Sequence, residues 1–254
     1  MQDKLKPKKL CHYTDIGALM GIVDNNTIWA TQSLYLNDYK EINYGAELLR
    51  EQLYEYESSG EPEKIEFALL LTTFADQIDM HAQRVYITSF STEDNQLSQW
   101  RGYTPANKGV SLTFNLDIIF RLLKDNSDIF LTPCLYDVDD LPKTMITKTL
   151  EAFFERFKEN SKNGSAKTLK SFSLAVYRTL LQIFVSIKTS DFAEEKEWRL
   201  ITVKEPNYQG EDLHFREGQS MLIPYLKIKL KPEADERLFS NVLAGPSQPH
   251  NLLQ

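Results

Sequence analysis

Glu194-Glu195-Lys196-Glu197-Trp198-Arg199, running on into Leu200-Ile201-Thr202-Val203, is the stretch that decides the fold class. Before it, Leu169, Phe172, Val176, Leu180 and Phe184 recur at helical spacing, the mark of a core-facing helix. From Glu197 onward the pattern turns to strands, at Glu197 to Val203, His214 to Glu217, Leu222 to Leu230 and Asn241 to Ala244. Strand-like stretches also fill the first half, at Lys9 to Tyr13, Thr27 to Thr31, Arg84 to Ser91, Gly109 to Phe114 and Ile129 to Tyr136. Strands at both ends with helices between them, rather than strict alternation, predict an α+β fold. We expect one domain over residues 1–254 with a helical insertion at 143–188.

The helices between the strands carry their own signals. Thr14 or Asp15 can cap a helix presenting Ile16, Leu19, Met20 and Val23 on one face. Asn37-Asp38 ahead of Glu41 has capping-box-like spacing and starts a helix towards Tyr56. A helix is predicted over Glu63 to Gln83, a short helical piece over Leu97 to Tyr103, and another after Asn115. Pro133 suggests an edge or a bulge in its strand.

Bulk composition narrows the function classes. The chain has 254 residues, 42% hydrophobic, and a formal net charge of −7. That balance argues against broad, non-specific nucleic-acid binding but leaves room for a local basic groove. Lys4, Lys6, Lys8 and Lys9 are expected to form a solvated tail. Cys11 and Cys134 lack CxxC spacing and only four histidines are present, so no metal site is expected. No apolar run is long enough for a bilayer, and a soluble protein of the reducing cytoplasm is expected.

Phosphate-loop, dinucleotide-fold, zinc-protease and nucleophile-elbow signatures are absent. Polar and aromatic clusters sit instead at strand ends: His12-Tyr13-Thr14, Leu36-Asn37-Asp38, Ser89-Phe90-Ser91, Ser98 with Trp100, Arg101 and Tyr103, Glu195-Lys196-Glu197-Trp198-Arg199, Arg216-Glu217-Gly218, Pro224-Tyr225 and Gly245-Pro246. This ordered set resembles an uncharacterised bacterial domain family with the pattern HYT, LND, SFS, SxWxxY, ExEWR, REG, PY and GP. A second resemblance is to the ADP-ribosyltransferases: a histidine on the first strand, an aromatic after a central strand, and a late strand opened by glutamate.

That second resemblance implies a split β-sandwich flanked by helices, with NAD as substrate. It implies that Glu197 stabilises the oxocarbenium-like transition state, that Glu195 serves the acceptor side, and that His12 binds the ribose or adenosine. Tyr103 or Trp100 would stack on nicotinamide, with Tyr13, Thr14, Ser89, Ser91, Arg101 and Arg216 around the dinucleotide. The acceptor, protein or nucleic acid, stays open. A bacterial toxin or antiviral-defence effector is the implied setting. The family pattern usually continues beyond the GP motif with another helix and strand, so the resemblance implies either a partner chain completing the sheet near the C-terminus or a fold that closes earlier.

Period-two geometry adds one expectation. If the strand begins by Glu195, then Glu195, Glu197 and Arg199 share a face and Trp198 joins the core. Plainer readings stand beside these: His12 as a satisfied strand-end histidine, Glu197 and Arg199 merely pairing across strands, Arg216 as a phosphate clamp. Two other function classes fit the same residues. One is a non-catalytic binding module, the other a metal-dependent nuclease using Asp38, Glu41 and Glu197.

Overall fold

A computed structural model of the chain describes residues 6–36, 39–105, 109–163, 166–204, 213–218 and 220–246, with backbone alone at 39–41, 160–163 and 166–170. The chain divides into two compact units. The first is drawn from Met1–Thr31, Tyr86–Pro133 and Phe192–Gln254, the second from Gln32–Val85 and Cys134–Asp191.

The first unit is built on a nine-stranded sheet. Its strands are β1 (Cys11–Asp15), β2 (Thr27–Gln32), β3 (Val85–Ser91), β4 (Gly109–Phe114), β5 (Ile129–Pro133), β8 (Glu197–Val203), β9 (Leu213–Glu217), β10 (Leu222–Lys229) and β11 (Phe239–Ala244). The order is β11-β4-β1-β3-β2-β10-β9, with β8 paired to both β3 and β5. β1 runs along β4 for five residue pairs, Cys11↔Thr113 to Asp15↔Gly109. With β3 it shares a single pair, Cys11↔Ser91. The sheet therefore splits beside His12, which opens a gap between two strands.

Among the described residues, three α-helices belong to this unit: α1 (Ile16–Asn25), α5 (Leu97–Tyr103) and α6 (Leu116–Asp125). Asp15 caps α1 by accepting from the Ala18 N–H at 2.7 Å. Asn115 caps α6 in the same way through the Asp117 N–H. The core gathers Leu10, Ile28, Phe90, Leu112, Phe114, Ile119, Trp198, Leu200 and Ile228. Trp198 thus takes the core place that its alternation predicts.

Several sequence expectations shift in detail. The first strand starts at Cys11 rather than Lys9. The stretch 129–136 is two strands, since Cys134 separates β5 from β6 (Leu135–Tyr136). α1 buries Ile22 and packs Leu19 on the core, while Ile16, Met20 and Val23 stay 48%, 60% and 50% exposed. Helical spacing fits two adjacent stripes here, Leu19 with Ile22 and Ile16 with Met20 and Val23. Periodicity alone does not choose between them.

The second unit is helical, with α2 (Tyr39–Glu57), α3 (Pro62–Asp76), α4 (Ile78–Ala82), α7 (Leu141–Asn163) and α8 (Ala166–Phe184). The helix expected over 63–83 is two, broken at Gln77. β6 pairs in parallel with β7 (Ile187–Lys188). The α7–α8 pair, expected as an insertion at 143–188, shares its core with α2 and α3. Phe67 packs on Phe154 and Phe157, and Phe74 stacks on Tyr177 at 4.8 Å. The Asn37-Asp38 cap lies outside the described residues.

Candidate functional site

His12 stands where β1 and β3 part. Its Nδ1 lies 2.9 Å from the Ser89 carbonyl oxygen. A carbonyl only accepts, so Nδ1 carries the proton and Nε2 keeps its lone pair when the ring is neutral. Burial lowers the His12 pKa from its ordinary value, and the Ser89 bond opposes that shift without reversing it. The ring is therefore a neutral imidazole at pH 7, with Nε2 available as an acceptor. Phe90 meets it edge-on at 5.9 Å.

A cavity of about 60 Å³ opens at this point, lined by His12, Ser89, Ser91, Gln99, Tyr103, Glu195 and Glu197 among others. Both carboxylates reach it, though not by the route that alternation predicts. β8 begins at Glu197, and Glu195 ends a 3₁₀ turn over Ser190–Glu195. Lys196 between them has φ 45°, a left-handed conformation that breaks the period of two. Ser91 fixes this turn. Its hydroxyl donates to the Glu195 carbonyl at 2.7 Å, while the Thr92 N–H reaches the Lys196 carbonyl. Lys196 also pairs with Glu93 at 2.7 Å.

The two carboxylates are held differently. Glu197 is 5% exposed and pairs with the buried Arg199 two residues on, Nε to Oε1 at 2.9 Å. The pair thus lies along one strand face rather than across strands. Glu195 accepts from the Tyr103 hydroxyl at 3.1 Å and 3.3 Å to its two oxygens. Tyr103 is 43% exposed, so the phenol covers the cavity from the solvent side.

Trp100 is placed elsewhere. It is 5% exposed, packs edge-on against Tyr13 at 4.9 Å, and donates its N–H to Asn95. Of the two aromatics expected to stack on a substrate, Tyr103 lines the cavity and Trp100 supports the wall behind it. Tyr13 belongs to that wall as well. Its hydroxyl donates to the Glu93 carbonyl at 2.7 Å and accepts from the Gln96 N–H at 3.0 Å. Burial pushes its pKa up to about 12, so it stays a phenol. Arg101 faces a separate groove with Leu97 and Pro246.

On the other side of His12 lies a larger groove of about 530 Å³. Thr14, Gly17, Gly21, Trp29, Thr31 and Arg216 line it together with His12 and Tyr13. Arg216 approaches the Thr31 hydroxyl at 3.4 Å. Gln99, Trp29 and Thr31 are not among the residues to which the sequence points. Gln99 sits one position before the SxWxxY aromatic and is 6% exposed. A glutamine carries no sequence signal for a site, so only the fold reveals it.

Among the described residues, no three His, Cys, Asp or Glu side chains come together to hold a metal. The side chains of Asp38 and Glu41 lie outside those residues. Among the described residues, no helix is long and apolar enough to cross a membrane.

Residues 99–200 match the model of a family described as Protein of unknown function (DUF2971). The matched stretch carries Trp100, Arg101, Tyr103, Glu195, Glu197 and Arg199 and leaves His12 outside. This part of the chain is thus similar to an uncharacterised domain family. No curated protein and no solved structure matches the chain.

Proposed function

We propose that the chain is an NAD-using ADP-ribosyltransferase or NAD glycohydrolase. The observation that carries this reading is His12. It is a neutral imidazole in a sheet split, opening on one side to Glu197, Glu195 and Tyr103, and on the other to a groove large enough for a nucleotide. A groove of about 530 Å³ lies in the range of small-molecule sites. Nε2 would accept from a ribose hydroxyl, and Arg216 at the groove would face the diphosphate. Tyr103 would cover the nicotinamide end.

The chemistry needs a fixed negative charge near the sugar. The bond from nicotinamide nitrogen to C1′ breaks, nicotinamide leaves with the bonding electrons, and positive charge develops on the ribose. Glu197, paired with Arg199, would stabilise that charge. The acceptor, or water, then bonds to C1′ and gives up a proton. Glu195 would receive it. The setting implied by resemblance, a toxin or antiviral-defence effector in the cytoplasm, belongs to the same proposal.

The test is nicotinamide release from NAD. Glu197→Gln is expected to cut the rate about 10²–10³-fold. Because this substitution takes the counter-charge from a buried arginine, folding is checked by circular dichroism. His12→Gln leaves that ion pair intact and is expected to lose activity as well. Unchanged turnover in both folded variants would remove the assigned centre.

A further inference from the structure

β10 pairs with β2 in the register Tyr225↔Thr31, Lys227↔Trp29 and Lys229↔Thr27. It pairs with β9 in the register Tyr225↔His214 and Ile223↔Arg216. Residues directly opposite across antiparallel strands share a face. One sheet face therefore carries Arg216, His214, Tyr225, Trp29, Lys227 and Lys229.

The aromatic rings on that face meet in a row, one pair stacked and the next tilted. Trp29 lies on Tyr225 at 4.2 Å and 28°, and Tyr225 on His214 at 5.5 Å and 32°. Trp29 ends the row and is 44% exposed, so a large flat ring faces solvent instead of the core. The chain's other two tryptophans, Trp100 and Trp198, are 5% and 8% exposed.

Two lysines lie on the same strand, and Lys231 follows just past its end. Lys227, Lys229 and Lys231 alternate with buried Ile228 and Leu230. Together with Lys204 they line a groove of about 180 Å³, where Asp128 sits 3.7 Å from Lys204. Lys229 spends one of its donors on the Asn25 carbonyl at 2.7 Å. Alternate residues on a strand repeat every 6–7 Å or so, similar to the phosphate spacing of an extended single strand. In a chain of net charge −7, this local excess of lysine beside a stacked aromatic end is a departure from the average surface.

We infer that this β2–β10 face is a platform for single-stranded nucleic acid. An unpaired base stacks on Trp29, and the backbone phosphates follow Lys227, Lys229 and Lys231. Base-on-aromatic stacking beside a cationic track is the physical basis of strand binding without sequence readout. Trp29, Thr31 and Arg216 also line the groove that reaches His12, so a strand on the platform lies next to that groove. As the acceptor of an ADP-ribosyl group, the strand rests on the NAD reading. As a ligand of this face, it does not.

The experiment is fluorescence anisotropy with labelled single-stranded DNA and RNA 12-mers and their duplex, on the full chain. Single strands are expected to bind with a log–log salt slope of about −2 to −3, from three or four phosphate contacts at about −0.7 each. Tryptophan emission should quench on binding, since Trp29 is the exposed ring. The double variant Lys227→Glu/Lys231→Glu changes two exposed side chains and should bind at least tenfold more weakly with an unchanged melting temperature. Equal affinity in that variant, duplex binding as tight as single strand, or unquenched emission would each overturn the platform. Nicotinamide release without oligonucleotide is measured in parallel and should be the same in wild type and double variant. Strand binding by a chain that does not turn over NAD would overturn only the NAD reading. Turnover without strand binding would overturn only the platform.

Discussion

At the scale of single residues, His12 has the most consequential surroundings. Its folded pKa is lowered from 6.5 by burial. Above that value both folded and unfolded imidazoles are neutral, and the residue adds no pH dependence. As pH falls through 6.5 the unfolded chain takes the proton first, and folding stability declines until the folded ring protonates too. Between about pH 7.5 and about pH 5.5, wild type should therefore lose more stability than His12→Gln. Urea unfolding of both proteins at the two pH values checks this. An equal loss in the two would mean that the ring is solvated in the folded state. The same residue scale explains why Glu195 and Glu197 meet in one cavity although they do not share a strand. The left-handed Lys196, tied down through Ser91 and Thr92, turns the chain between them.

At the scale of elements, the position of α5 decides what Tyr103 can do. The helix is seven residues long and leans on Tyr13 through Trp100. Gly245, just past β11, leaves room for that indole. A Cβ there would stand 2.9 Å from Trp100 Cε3 and 3.1 Å from the Gly109 carbonyl. Gly245→Ala should cost about 1–3 kcal/mol by overpacking. It should also perturb the near-UV signal of Trp100 and shift α5, which moves Tyr103 off Glu195. Urea unfolding together with near-UV circular dichroism measures both effects, and a silent substitution would show that the wall behind Tyr103 is loose.

At the scale of the whole molecule, the proposed activity predicts ligand-linked stability. A ligand that binds only the folded chain adds about 2.7 kcal/mol at a hundred times its dissociation constant. NAD at saturating concentration should thus raise the melting temperature by several degrees, and His12→Gln should reduce the shift. Absence of any shift with millimolar NAD would count against the nucleotide groove. Each of the two compact units contains its own buried aromatic and aliphatic core, one under the sheet and one among the helices.

Read alone, the sequence shows the local elements and the kind of fold. Period-two stretches became strands, Asp15 and Asn115 became caps, and Trp198 became core, because these outcomes depend on neighbours within a few residues. It also brought out His12, Tyr103, Glu195 and Glu197 as residues of note. Long-range packing settled the rest. It chose Tyr103 over Trp100 for the cavity and the Leu19–Ile22 stripe of α1 over Ile16, Met20 and Val23. It gave Glu195 a turn instead of a strand, and put Trp29 beside Lys227. Each of these depends on pairs far apart in the chain, such as Cys11 with Ser91 or Trp29 with Lys227. A periodic pattern fixes which residues share a face, but the long-range register of the sheet determines what that face meets.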